Sequence, residues 1–175
     1  MTGPLALPAI APLAEADPEA IERLLDAAFG AGRRTRTAYR IRQGMAPLPA
    51  LSFAAHDEAD GSLIGALQSW PIALRGGDGR GTPLILVGPV AVTPARQREG
   101  LGRLLMERML RDADAGAAAA DPLVLIGDPE YYGRFFGFSA DATGGWEAPG
   151  PVERHRLLAR AGGRPLPPTG MLGPR

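Results

Sequence analysis

The chain of 175 residues contains no cysteine, no lysine and no asparagine. Without cysteine, a disulfide framework, a thiolate metal site and a cysteine nucleophile are excluded. Without lysine, so are Schiff-base chemistry and the lysine of a phosphate-binding P-loop. Excess charge is missing too: 19 basic residues, all arginine, balance 19 acidic ones. That argues against nucleic acid or any partner held by bulk charge. No apolar run reaches the ~18 residues of a membrane span, so no membrane association is expected. The opening "MTGPLALPAIAPLAEAD" has no basic stretch before its apolar part, so it is not expected to be a signal peptide, and a cytoplasmic protein is the simplest reading. The two histidines, His56 and His155, lie far apart, and no metal site is expected from them.

What remains is an ordinary globular composition, 45% hydrophobic and 22% charged. One domain over 1–161 is expected, followed by a Gly/Pro-rich tail, 162–175, that reads as poorly ordered. Leu5–Leu13 is apolar but broken by prolines, which suits only an edge strand. "DPEAIERLLDAAFG" predicts a helix, capped by Asp17, with Pro18 in its first turn and Gly30 as its stop. The basic stretch Arg33–Arg42 suggests a short second helix; it reads as a solvated face, or as a holder for an acidic acceptor. Leu51–Ala55 predicts a half-buried strand, Leu63–Trp70 a second that extends towards Leu74, and Leu84–Val92 a third. Their short links imply an antiparallel meander. Leu101 to about Ala115 predicts a helix with Leu101, Leu104, Leu105 and Met109 on its apolar face. Leu123–Ile126 is a short buried strand, and strand, helix and strand in series imply a parallel pair. "PEYYGRFFGF" suggests a short aromatic helix, and "ERHRLLAR" a last strand. The fold class is thus α/β, with a mixed central sheet flanked by helices.

Between the third strand and the next helix stands "VTPARQREGLG". A dinucleotide fingerprint needs its first glycine close to the strand end. Here seven residues separate Val92 from Gly100, and Leu105 fills the position of the third glycine; a nicotinamide-dependent enzyme is a weaker reading. A helix N-terminus, in contrast, offers unpaired N–H groups and a partial positive charge, and glycine lets a phosphate approach the backbone. With Arg96, Arg98 and Arg103 near it, the segment predicts a pyrophosphate socket.

Gln97, Arg98, Glu99, Gly100, Leu101 and Gly102 match the Gln/Arg-x-x-Gly-x-Gly/Ala signature in register, after a "V-x-V-x-P" strand end. The segment therefore resembles motif A of the GNAT superfamily of N-acetyltransferases. "LVLIGDPEYYGRFFGF" resembles the branch that carries "GDP-x-YYGRFGF", and the predicted order of elements fits that fold up to about Gly162. The resemblance implies acetyl-CoA as co-substrate, held where Leu84–Val92 and Leu123–Ile126 splay apart. It implies that the strand end Val90, Ala91 and Val92 pairs with the pantetheine arm, with the Val92 N–H near the thioester carbonyl. It further implies pyrophosphate on the amides of Arg98–Arg103, with Gln97 beside them, a coenzyme contact from Phe135, and a homodimer.

Acetyl transfer to an amine requires that an ammonium, with pKa about 10.4, lose a proton, and that the leaving thiolate be stabilised or protonated. The resemblance implies a tyrosine acid on the helix after the second splayed strand, where Tyr131 and Tyr132 lie. "RFFGF" has one residue more than "RFGF", so Tyr132 is displaced by one, and the helix must adjust if it is the acid; both tyrosines could instead pack on the coenzyme or in the core. Asp128 is a base or, equally, the cap of the helix that starts at Pro129. Trp146, in a glycine-rich loop, suggests a cover over a cleft. The expected activity is direct transfer to a small-molecule or peptide amine in a ternary complex. A non-catalytic acyl-CoA binding or sensing module is the alternative.

Overall fold

The fold is built on one mixed eight-stranded sheet whose parallel pair of strands parts after two positions. The computed structural model describes residues 7–175. Strand β1 (Ala9–Pro12) forms an edge, and the start of the expected Leu5–Leu13 strand lies outside the described residues. Helix α1 (Pro18–Phe29) begins as expected, with the Asp17 carboxylate accepting from the Glu19 N–H at 3.1 Å. It ends at Gly30, whose φ of 88° is the conformation that favours glycine. The basic stretch gives one turn of 3-10 helix, Arg33–Thr35, and the five-residue α2 (Thr37–Ile41).

The meander follows as β2 (Phe53–His56), β3 (Leu63–Arg75) and β4 (Gly81–Val92), all antiparallel. Helix α3 (Leu101–Asp114) crosses over to β5 (Leu123–Ile126), which pairs parallel with β4. Helix α4 (Pro129–Phe136) and β6 (Gly145–Glu147) precede β7 (Leu157–Arg160) and β8 (Thr169–Pro174). The sheet runs β1-β2-β3-β4-β5-β7, with β8 joined to β3 and β6. The expected last strand starts later than its sequence suggests, because Arg154–Arg156 makes a 3-10 turn first.

Side chains alternate between the two faces of the sheet. Phe53, Ala55, Val87 and Leu125 point to the face covered by Leu105, Met106 and Met109 of α3. Leu101 and Leu105 of the expected α3 stripe are buried, whereas Leu104 is only half-buried and Met106 and Leu110 take part instead. On the other face, Ala54, Ala66 and Ala91 receive Leu24 and Leu25 of α1. These small residues let α1 lie close to the sheet. They also explain why β2 is buried on both faces rather than half-buried: its inward neighbours are alanines under a helix, not polar residues facing water.

The tail does not follow its composition. β2 pairs only with the first half of β3, through Leu67, and leaves Ile72–Arg75 an open edge. β8 fills that edge, with Leu172 opposite Leu74 and 1% exposed. At Gly170 a Cβ would stand 2.7 Å from Leu74 Cγ, so the glycine serves close approach rather than disorder. Trp146 is likewise core and not a cover: it is 1% exposed, and its indole donates to the Pro167 carbonyl at 2.8 Å. Trp146→Ala is expected to lower unfolding stability by about 3–5 kcal/mol in a urea titration, because it leaves a large cavity.

Candidate active site

The parallel pairing of β4 with β5 stops after two positions, Ile85 with Leu123 and Leu86 with Val124. Between Leu67–Ser69 of β3 and Val87–Val90 of β4 the register shifts by one extra residue on β4, a bulge that bends this strand. Beyond it β4 stays paired with β3 but no longer with β5. The Thr93 N–H donates to Ile64 on β3 at 2.9 Å, so the alternation of a strand turns the backbone groups of Val92 and Val90 towards the parting with β5. The Gln97 side-chain amide reaches the Val92 carbonyl at 3.4 Å and ties the loop to that strand end.

A cavity of about 850 Å³ occupies the parting. Leu86, Val87, Gly88, Pro89 and Val90 of β4 line one wall, and Leu125 and Ile126 of β5 another. Tyr132 lines it too, whereas Tyr131 stacks on its own helix against Phe135 and Phe136. Burial, foremost, and then Tyr131 raise the Tyr132 phenol above its ordinary pKa, against a lowering by Arg156, so it is protonated at neutral pH. Gly127 gives the ring its room: a Cβ there would stand 2.5 Å from Tyr132 Cε2. Gly127→Ala must therefore displace the tyrosine, and any turnover that uses it is expected to fall at least about tenfold.

Helix α4 ends at Gly137, whose φ of 75° makes a left-handed cap. The Gly137 N–H bonds both Gly133 and Tyr132 carbonyls, and the Phe138 N–H bonds Tyr132 at 3.3 Å. Bonds over five and six residues widen the last turn relative to the α-helical four. Tyr132, within α4, stands in the cavity wall. Asp128 is exposed and caps α4, its carboxylate accepting from the Glu130 N–H at 3.0 Å.

The glycine loop meets the same parting from the α3 side. Arg98 has φ of 70° and Gly100, the residue that caps α3, has φ of 82° with no side-chain cap. A left-handed arginine is costly, roughly 1–2 kcal/mol, and points to a functional loop. At Gly102 a Cβ would touch only Val90 Cγ1 at 3.7 Å and Val92 Cγ2 at 3.9 Å, so the glycine keeps clear the strip between the start of α3 and the end of β4. Two of the expected cations are engaged. Arg96 binds Glu99 and Asp57, and Arg103 binds Glu107 at 2.9 Å and covers Phe135. Arg98 is exposed and makes no ion pair among the described residues. Phe135 is 42% exposed and sits between α3 and α4, outside the cavity wall.

The far end of the cavity is lined by the basic stretch, one of whose two sequence readings is a holder for an acidic acceptor. Arg33 and Arg42 are 2% and 6% exposed, whereas Arg34, Arg36 and Arg40 face solvent, so only part of the basic stretch is a solvated face. Arg33 binds Asp26 at 2.8 Å, Glu22, and the Tyr39 hydroxyl at 2.6 Å; burial would lower its pKa, and these bonds outweigh it. Glu153 is the one carboxylate among the described wall residues, and Arg156 lies near it. The only early signal was the density of arginines from Arg33 to Arg42. His155 pairs with Glu153 at 3.5 Å on the surface. Among the described residues no cluster of three metal-ligating side chains occurs, and no helix is long and apolar enough to cross a membrane.

An α/β sheet that parts between parallel strands, beside a glycine-wrapped helix start, defines a class that the comparisons identify. A family model described as an acetyltransferase (GNAT) domain matches residues 9–139. The chain belongs to the GNAT acetyltransferase family, and is an acyltransferase. A GNAT family N-acetyltransferase from Escherichia coli, YhbS, solved in complex with CoA, superposes with a TM-score of 0.74 at 22% identity, over 100% of this chain and 93% of that one. A GNAT acetyltransferase from Brucella melitensis, solved with acetyl-CoA, gives a TM-score of 0.60 at 28% identity, over 93% and 92%. The ribosomal-protein-S18-alanine N-acetyltransferase from Escherichia coli gives 0.50 at 18% identity, over 87% and 90%, and shares the fold. No curated protein matches in sequence.

Proposed function

We propose that the protein transfers an acetyl group from acetyl-CoA to an amine by direct attack in a ternary complex. The observation that carries this reading is the cavity where β4 and β5 part, with a protonated Tyr132 in its wall and the glycine-wrapped start of α3 at its side. The residues fit the co-substrate. Gly102 leaves a strip free for the pantetheine arm, and the uncapped amides of Gly100, Leu101, Gly102 and Arg103 suit its pyrophosphate. Val90 and Val92 offer backbone groups for pairing as an added strand, and the Val92 N–H is the donor for the carbonyl oxygen where negative charge develops.

Tyr132 donates the proton to the departing sulfur, and its raised pKa keeps that proton available at neutral pH. Tyr131 packs behind it and positions its ring. Asp128 holds the start of α4, which fixes where Tyr132 stands. Glu153 takes up the proton of the incoming ammonium, directly or through water. A free-thiol assay with acetyl-CoA and a panel of primary amines tests the reading. Thiol release that depends on an amine supports it; bound acetyl-CoA with no release on any amine overturns it.

A further inference from the structure

The cavity passes through the sheet. Val87, Val90, Leu125 and Tyr132 belong to the face of α3, whereas Leu86 and Ile126 belong to the opposite face, that of α2 and Trp70. The proposed coenzyme strip lies on the α3 face. The wall on the opposite face is therefore the one that an acceptor meets, and its chemistry is unusual. Arg42 stands in it, 6% exposed. Its guanidinium carbon lies 4.0 Å from the ring centre of Tyr39 and 3.7 Å from that of Trp70. Two rings cannot cover one face at those distances, so both faces of the guanidinium are taken, and it can donate only from its edge.

Along that edge Nη1 is buried without a hydrogen-bond partner, and Arg42 makes no ion pair among the described residues. Every other feature holds the cation where it is. Asp26 and Glu22 of α1 bind Arg33, Arg33 binds the Tyr39 hydroxyl, and Tyr39 lies on Arg42; the Trp70 indole is anchored on the Gly88 carbonyl at 2.8 Å. Burial pushes the Arg42 guanidinium down to about 10, with Arg33 adding to the lowering and Tyr39 opposing it. Glu22 acts on this cation only from a distance, and a buried cation with a free donor and no bound carboxylate is unfavourable until an anion joins it. Arg36 and Arg156 share the wall and leave Glu153 as its only carboxylate among the described residues.

We propose that the acceptor is an amine that also carries an oxyanion, a carboxylate or a phosphate, which binds the edge of Arg42. This rests on the acetyltransfer reading and names its substrate class. The rings clamp the guanidinium in one plane, so the oxyanion is met by a prepositioned donor, and the amine of the same molecule is left to point through the parting towards Tyr132.

The test is kcat/KM for the full-length protein with acetyl-CoA over matched sets: free L-amino acids and dipeptides, their C-terminal amides, their decarboxylated amines, and ethanolamine phosphate beside ethanolamine. Members with the oxyanion are expected to exceed their neutral counterparts by about 100-fold. Carboxylate and phosphate arms tell the two sources apart. Arg42→Gln is expected to remove that preference while the acetyl-CoA dissociation constant stays unchanged, and Arg42→Lys to restore only part of it, since an ammonium lacks the planar edge. Equal or greater activity on neutral members overturns the proposal and leaves acetyltransfer standing. So does a preference that survives in Arg42→Gln, or a preparation that acetylates neutral members and no member with an oxyanion. The comparison within the wild type needs no variant to fold. Failure to bind acetyl-CoA at all would instead remove the acetyltransfer reading.

Discussion

Gly102→Asp is expected to weaken acetyl-CoA binding about 100-fold, roughly 2.7 kcal/mol, without loss of folding stability. Gly102 is the second residue of α3, and its φ lies outside the left-handed region, so an L-residue fits there. The nearest atoms to a new Cβ, on Val90 and Val92, are at ordinary contact distance. Aspartate in the first turn of a helix is favourable, by about 0.3–1 kcal/mol, and glycine in a helix is the poorer choice by a similar amount. The helix should therefore gain. The proposed pyrophosphate seat, in contrast, acquires a negative charge and loses its open strip. Calorimetric titration and thermal unfolding on one preparation check both halves. Intact binding in the variant would move the coenzyme away from this helix start, and a collapsed fold would show that the glycine is structural.

Tyr132→Phe is expected to lower kcat by about 100-fold to 10,000-fold while acetyl-CoA binding is retained. The ring fills its place beside Gly127 with or without the hydroxyl, so packing changes little. Only proton donation to the sulfur is lost. The pKa direction adds a second readout. Because burial holds the phenol above its ordinary value, the acid stays protonated through neutrality, and the wild-type kcat should not fall on the basic side until above about pH 10. A basic limb near neutrality, or an unchanged kcat in the variant, would assign the proton to another group.

The elements that were legible in the sequence are those whose signal is local. The α1 cap at Asp17, the three strands of the meander and the α3 helix each read from spacing within about fifteen residues, and each stands close to its expected place, although Met106 and Leu110 replace Leu104 on the buried face of α3. The strand end, the glycines and the aromatic helix were legible as a candidate site through the resemblance, whose motifs are local in the same way. What was hidden depends on partners far away. The tail looks disordered by composition, but Gly170 exists to meet Leu74, nearly a hundred positions earlier. Trp146 is buried by a strand that the composition did not announce. Arg33 and Arg42 read as solvated because charges usually are; Asp26, Tyr39 and Trp70 bury them, and no spacing rule connects those residues.

Calorimetric titration of the wild-type protein with acetyl-CoA tests the central claim most directly. Saturable binding of one molecule per chain is predicted, since one parting of the sheet and one glycine-wrapped helix start make one seat. No heat and no saturation at millimolar coenzyme would contradict the assignment of Gln97–Gly102 and the β4–β5 parting to acetyl-CoA, and the activity built on it.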